Sequence, residues 1–391
     1  MSYEVSFPRL VRVGGGAISE VADIVVQLGI TRPFVVTDAF LKNSGLLDKV
    51  VDILATAGIV AGSFAETVAD PTTASVATAM QAAADHNADG IIALGGGSPI
   101  DTAKAMAVLA KYPGQMHELK APVSYNGPAL PVVAIPTTAG TGSETTRFTV
   151  ITDSRTGEKM LCAGGSYMPE AAIVDYELTT TMPPRLTADT GIDALTHAIE
   201  AYVSTKANPI SDALALRAIA LIGRNLRRVY TDADHIARDE MMTAATLAGM
   251  AFSNSSVALV HGMSRPLGAH FHIAHGLANA MLFAEVTAFS VSAAPERYAE
   301  CARALGLGAH DSTAAELGSE LVAELRALAE ELEVPTPPQL GIERENWSEH
   351  VPVMVTQAIA SGSPANNPRI PTADQIAEIF QTVFDHQKEQ A

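Results

Sequence analysis

Asp193 and His197 stand four residues apart in a stretch, Gly191 to Glu200, that reads as a helix, so both side chains project from one face. A carboxylate oxygen beside an imidazole nitrogen is half of a divalent-metal site. Further along, His261 and His275 bracket a segment containing Gly262, Pro266 and Gly268, whose backbone is expected to bend and return two more imidazoles to one point. One Asp and three His suit Fe²⁺, Zn²⁺ or a similar first-row ion and argue against Ca²⁺ or Mg²⁺, which want oxygen. An Asp and a His one helical turn apart are by themselves more often a hydrogen-bonded pair. The two further His and a phosphate-type loop upstream favour the metal.

That loop runs from Gly95 to Lys104, directly after the buried run Gly90 to Leu94, and opens a helix. The first N–H groups of a helix lack partners and carry the positive end of its dipole, so a phosphate settles there. Gly95, Gly96 and Gly97 let the backbone approach closely, and Ser98 adds a hydroxyl. The spacing is not G-x-G-x-x-G, and a plain glycine turn closing a βα unit is the competing reading. A second small-residue loop, Pro136 to Glu144, follows the next strand, and its Thr137 and Thr138 could grip a pyrophosphate from an adjacent βα turn; Thr141 or Ser143 could equally cap a helix. Asp38 ends an early strand, where a carboxylate can accept hydrogen bonds from a ribose diol. It would repel a 2′-phosphate by about 1 kcal/mol at ~4 Å in water and about 4 at an effective dielectric near 20, favouring NAD over NADP.

The elements that must position these groups change character midway. The first half alternates strands with Ala-rich helices: strands at 33–38, 61–64, 90–94 and 129–136, helices at 46–57, 74–86 and from the glycine loop to Ala110. Such alternation implies a parallel sheet covered on both faces. After Asp175 strand signals nearly vanish, and long helices are expected at 189–204, 209–230, 237–252 and 314–332. The expected domains are therefore 1–187, α/β and nucleotide-binding, and 188–391, all-helical and metal-binding.

The formal net charge of −18 over 391 residues excludes the basic stripe that nucleic acid requires and disfavours anionic membranes. Cys162 and Cys301 form no framework or motif and are expected to be buried thiols. No basic, apolar leader begins the chain and no apolar run of about 18 residues is evident, so cytoplasmic residence is expected.

These motifs resemble the iron-containing (group III) alcohol dehydrogenases: residues 95–101, 137–144 and 191–200, the His-Gly pairs at 261 and 275, and Asn367-Pro368-Arg369 stand in family order along nearly the whole chain. The resemblance implies a dehydroquinate synthase-like architecture and reversible hydride transfer between a small primary alcohol or aldehyde and NAD, with the metal as Lewis acid. It places the ligands at Asp193, His197, His261 and His275, with Fe²⁺ ahead of Zn²⁺. It places cofactor contacts at Asp38, Asp70, Gly96, Gly97, Ser98, Asp101, Thr137, Thr138, Thr146, Phe148, Lys159, Leu178 and Met182, and suggests a homodimer. One position departs: where many members carry a further His, four residues after His261, this chain has Arg265. A guanidinium stays charged and cannot relay protons in the ordinary way, so that task would pass to the ribose, water, His270 or His272. Arg265 could instead hold an anionic substrate group such as a carboxylate or sulfonate, or else pair with a protein carboxylate. The rival reading is a metal- and NAD-dependent cyclase or lyase of the dehydroquinate synthase kind.

Overall fold

Runs of β-branched and aliphatic residues bounded by glycine, proline and asparagine set the strands of the first half. The computed structural model describes residues 2–385 apart from Ala233. The chain forms two units, Val5–Met182 and the residues from Pro183 on. The division comes ahead of residue 187 because Pro184 already occupies the first turn of a long helix, where its missing N–H costs nothing.

The first unit holds eight strands: β1 (Leu10–Val13), β2 (Pro33–Val36), β3 (Gly62–Phe64), β4 (Gly90–Gly95), β5 (Val132–Pro136), β6 (Phe148–Thr152), β7 (Lys159–Ala163) and β8 (Ala171–Val174). Six of them form a sheet in the order β1-β8-β5-β4-β2-β3, and every pairing in it is parallel. Between these strands lie helices α1 (Val21–Gln27), α2 (Ala39–Asn43), α3 (Leu46–Thr56), α4 (Thr73–Asp85) and α5 (Gly97–Leu109). Successive strand residues serve opposite faces. In β4, Ile91 and Ala93 enter a core shared with α4 and α5, while Ile92 and Leu94 enter one shared with α1 and α3. A three-layer parallel α/β unit results, as the alternation implied. The antiparallel hairpin β6–β7 was not foreseen. Its strands bury every second residue, and the turn between them carries Asp153 and Gly157.

The second unit is helical among its described residues: α6 (Pro184–Val203), α7 (Pro209–Thr231), α8 (His235–Asn254), α9 (Leu259–Phe271), α10 (His275–Ser290), α11 (Pro295–Leu305), α12 (Ala314–Glu331), α13 (Arg344–Ala360) and α14 (Ala373–Asp385). One expectation needs correcting. The segment between His261 and His275 does not leave the helix at its glycines and proline. Helix α9 runs through Pro266, which withholds the N–H that Gly262 would receive, and the chain reverses only at His272, whose φ is 55°. Helix α10 and the turn after it, His275–Ala293, are long and apolar enough to cross a membrane by length and composition, contrary to the sequence expectation. More than half of that stretch is buried inside the protein, as in a core helix. Both cysteines are buried.

Helices α9, α13 and α14 are joined by rings: Phe271 stacks on Trp347 at 5.2 Å between centroids, and Phe380 and Phe384 meet the same indole at 6.1 and 5.5 Å. Trp347 is the chain's one tryptophan and is fully buried, so its fluorescence reports on this unit. Phe380→Ala should lower the stability of the unit by about 3–5 kcal/mol, seen as an earlier Trp347 transition in denaturant. An unchanged midpoint would show that the ring cluster is not what holds α14 in place.

Candidate functional site

Helix α6 presents Asp193 and His197 from one face, as their spacing requires, and α9 and α10 each add a histidine. Asp193 Oδ1 lies 3.8 Å from His197 Nδ1, 3.6 Å from His261 Nε2 and 3.8 Å from His275 Nε2. One donor atom from each of the four falls within 4.8 Å of the others. Ligands held at the usual 2.0–2.2 Å around one tetrahedral ion would stand about 3.4 Å apart, so the cluster fits a first-row cation in spacing as well as in donor type. Asp193, His197 and His261 are buried while His275 is exposed, which leaves one side of the cluster open. The ring of Phe252 stacks on His197 at 4.2 Å and backs it, and His261 stacks on His197 at 4.4 Å. Burial alone would raise the Asp193 carboxyl, but His197, His275 and His261 hold it well below the usual carboxylate range.

Two residues not expected from the sequence complete the cluster. Glu200, buried on α6, accepts from the Ala258 N–H at 2.8 Å and the Val260 N–H at 2.6 Å, and its Oε2 lies 2.6 Å from His261 Nδ1. With the His261 proton on Nδ1 and donated to Glu200, the Nε2 lone pair faces the cluster, where Asn279 Nδ2 now lies 3.1 Å from it. Burial lowers the His261 pKa, but Glu200 and Asp193 together raise it above its ordinary value. Asn279, one turn after His275, donates from Nδ2 to Asp193 Oδ1 at 2.6 Å, and its buried Oδ1 has no partner among the described residues. The signals were present in sequence: Glu200 follows His197 by three and Asn279 follows His275 by four, so each shares a helix face with a candidate ligand. The glycine after each downstream His also has a reason. A Cβ on Gly262 would meet Pro364 at 2.8 Å, and one on Gly276 would meet the Asp189 backbone oxygen at 2.6 Å.

Arg265 lies one turn beyond His261. It donates to Ser363 Oγ at 3.2 Å and, among the described residues, forms no ion pair. His270 and His272 are placed elsewhere. The His270 ring bonds Gln357 at 2.9 Å and sits beside His350, and His272 is exposed at the end of α9.

In the first unit, Asp38, the glycine loop and Thr137–Thr138 follow the carboxyl ends of the neighbouring strands β2, β4 and β5. Chain order reverses between β2 and β4, the position where open α/β sheets bind ligands. Helix α5 begins at Gly97 with Gly96 as its uncapped N-cap, so no side chain takes its first amides. Thr138 stands over Gly96, and its buried Oγ1 has no partner among the described residues. These open donors fit a phosphate. Thr137 joins the two loops by donating its N–H to Gly95 O at 3.1 Å. The second loop does not open a helix as the βα reading implied. Gly142, not Thr141 or Ser143, caps a single turn of 3₁₀ helix before β6. Asp38 caps α2 through the Leu41 N–H at 2.9 Å. Lys159 and Asp70 form an ion pair at 2.9 Å. Asp101 turns its carboxylate to Ser143 Oγ and Val150 N–H, at 2.8 and 2.9 Å. Thr146 and Phe148 are held by the Lys104 ammonium. Leu178 lies in the short 3₁₀ turn Tyr176–Thr179, packed against the core, and Met182 closes the unit.

Comparison with known proteins matches residues 8–176 to the iron-containing alcohol dehydrogenase family model and residues 187–384 to the C-terminal model of the same family. The chain is 37% identical over 385 residues to the NADPH-dependent butanol dehydrogenase of Clostridium saccharobutylicum, covering 97% of each chain. It is 35% identical over 374 residues to the NAD-dependent methanol dehydrogenase of Bacillus methanolicus, covering 95% of this chain and 97% of that one. Its fold matches the crystal structure of a 1,3-propanediol oxidoreductase with a TM-score of 0.94 and 34% identity, over 98% of this chain and 100% of the other.

Replacing Glu200 by Gln puts an amide where His261 Nδ1 now finds a carboxylate, and so removes the preference for the ligand tautomer. The affinity of the protein for Zn²⁺ or Co²⁺, measured by chelator competition, should fall about 10- to 100-fold. Wild-type affinity in that variant would mean that His261 needs no such partner.

Proposed function

The chain belongs to the iron-containing alcohol dehydrogenase family and is an oxidoreductase, and from that premise we propose that it interconverts a small primary alcohol and its aldehyde by hydride transfer with NAD. The observation that carries the reading is the convergence of Asp193, His197, His261 and His275 to within 4.8 Å from three separate helices. The proposed ion is Fe²⁺, with Zn²⁺ accepting the same donors. Bound there, it would polarise the alcohol or aldehyde oxygen as a Lewis acid. Asp193 supplies the one anionic ligand, and Glu200 holds His261 in its ligand tautomer. The open amides of Gly97 and Ser98, with Thr138, take the pyrophosphate, and Asp38 keeps one carboxylate oxygen for a ribose diol while the other caps α2. That carboxylate supports NAD over NADP; of the two relatives named above, one is NADPH-dependent and the other NAD-dependent.

Arg265 supports an anionic substrate. A half-buried guanidinium with a single serine hydroxyl as partner, one turn from a ligand histidine, is poised to take a carboxylate or sulfonate in bidentate fashion. It is a better candidate for touching substrate than His270, which is engaged with Gln357, or the exposed His272.

Two measurements test these readings. Metal-stripped protein should consume no NADH with short aldehydes, and turnover should return on loading Fe²⁺ or Zn²⁺; absence of turnover with either ion and any aldehyde would sink the dehydrogenase assignment. Arg265→Ala should raise KM for acidic aldehydes about 10- to 100-fold while leaving neutral ones nearly unchanged. Equal losses on both classes would count against the anion role.

A further inference from the structure

We propose that Lys104 is a positioning residue of the cofactor site: its ammonium, sealed behind the glycine loop, clamps the segment Ser143–Phe148 and so presents Thr146 and Phe148 to the dinucleotide. The inference rests on the NAD reading above. Lys104 lies two turns into α5 and is fully buried. Its Nζ lies within hydrogen-bond distance of four oxygens: Ser143 Oγ at 3.1 Å, Thr146 O at 2.9 Å, Thr146 Oγ1 at 3.0 Å and Phe148 O at 2.9 Å. An ammonium has three protons, so this one is fully subscribed. Asp101, one turn earlier on the same helix, accepts from Ser143 Oγ and Val150 N–H, while its own backbone carbonyl receives the Thr149 hydroxyl at 2.9 Å. Two charged residues of α5, one helical turn apart, thus fix the path of the chain from Ser143 to Val150, and that path carries two of the proposed cofactor contacts.

A methionine would fill the space but leave these four oxygens without a donor and Asp101 without its counter-charge, so Lys104→Met also costs stability, and the pH profile of binding is what separates a positioning role from a structural one. Burial pushes the Lys104 pKa down to about 8, against the pull of Asp101 on its own helix and Glu144 on the clamped segment. Deprotonation leaves two N–H donors and a lone pair facing four oxygens, so the clamp loosens. The protonated amine is the form that holds the segment. Dinucleotide affinity is therefore full below about pH 8 and declines as pH rises through that value.

The test is an NADH titration followed by cofactor fluorescence, on metal-loaded wild type and on Lys104→Met, across the range from about pH 6.5 to about 9.5. Wild type should bind with a Kd that rises through about pH 8 and levels off near that of the clamp-free protein. Lys104→Met should bind about tenfold or more weakly at neutral pH, with a flat profile, while keeping the metal affinity of the second unit. A folded Lys104→Met with wild-type Kd and profile would overturn the inference. Should that variant not fold, the wild-type profile decides alone: a decline supports the clamp and a flat Kd overturns it. A wild type that binds no NADH at any pH fells the cofactor reading and the clamp together, whereas flat but tight binding fells only the clamp.

Discussion

The proposed metal cluster depends on one buried carboxylate that is not among its candidate ligands. Helix α6 carries Asp193 and His197, and α9 carries His261, which must arrive with Nε2 facing inward. Glu200 makes that happen by accepting at once from two backbone amides at the start of α9 and from His261 Nδ1. An anion at a helix start also meets the positive end of the helix dipole. Its position is thus fixed by the fold of α9, and the orientation of the imidazole is fixed by Glu200. With Asp193, it gives the cluster two carboxylates, which is why a cation is favoured there whatever the first-row identity of the ion.

The first unit solves a different problem, which is to offer donors without side chains. Parallel strands with both faces buried leave only their ends for chemistry, and the carboxyl ends of β2, β4 and β5 carry the candidate contacts. Gly97 and Ser98 provide amides that no cap consumes, and Thr138 adds a hydroxyl over Gly96. The loop after β5 has no regular ladder of its own until β6 begins. Its order comes from α5, through Asp101 and Lys104, two residues that lie on the far side of the same glycine turn.

The sequence revealed what depends on period and spacing. Strand–helix alternation announced the parallel sheet, and the four-residue interval announced the shared face of Asp193 and His197. It did not reveal what depends on how helices pack. Pro266 and Gly262 looked like places where α9 would break, yet Gly262 is there so that Pro364 can approach, and the reversal waits for His272. Glu200, Asn279 and Lys104 read as ordinary helix residues because their partners lie 61, 86 and up to 44 positions away in the chain. The hairpin β6–β7 was obscured by its short, half-exposed strands.

The two sites face opposite charge problems, and the chain answers both with buried ions. At the proposed cation site, carboxylates on α6 favour positive charge. Near the expected pyrophosphate, the loop itself is uncharged, and the nearest buried cation on its helix, Lys104, points away into the clamped segment. Net attraction for a dinucleotide in a protein of formal charge −18 must therefore come from oriented amides and the helix dipole more than from salt bridges. Oriented dipoles are useful only while the backbone that carries them is held still, and holding that backbone is what Asp101 and Lys104 do. The buried charges of this unit, Asp101 and Lys104, act on the scaffold, whereas in the helical unit Asp193 is proposed to act on the ion directly and Glu200 acts through His261.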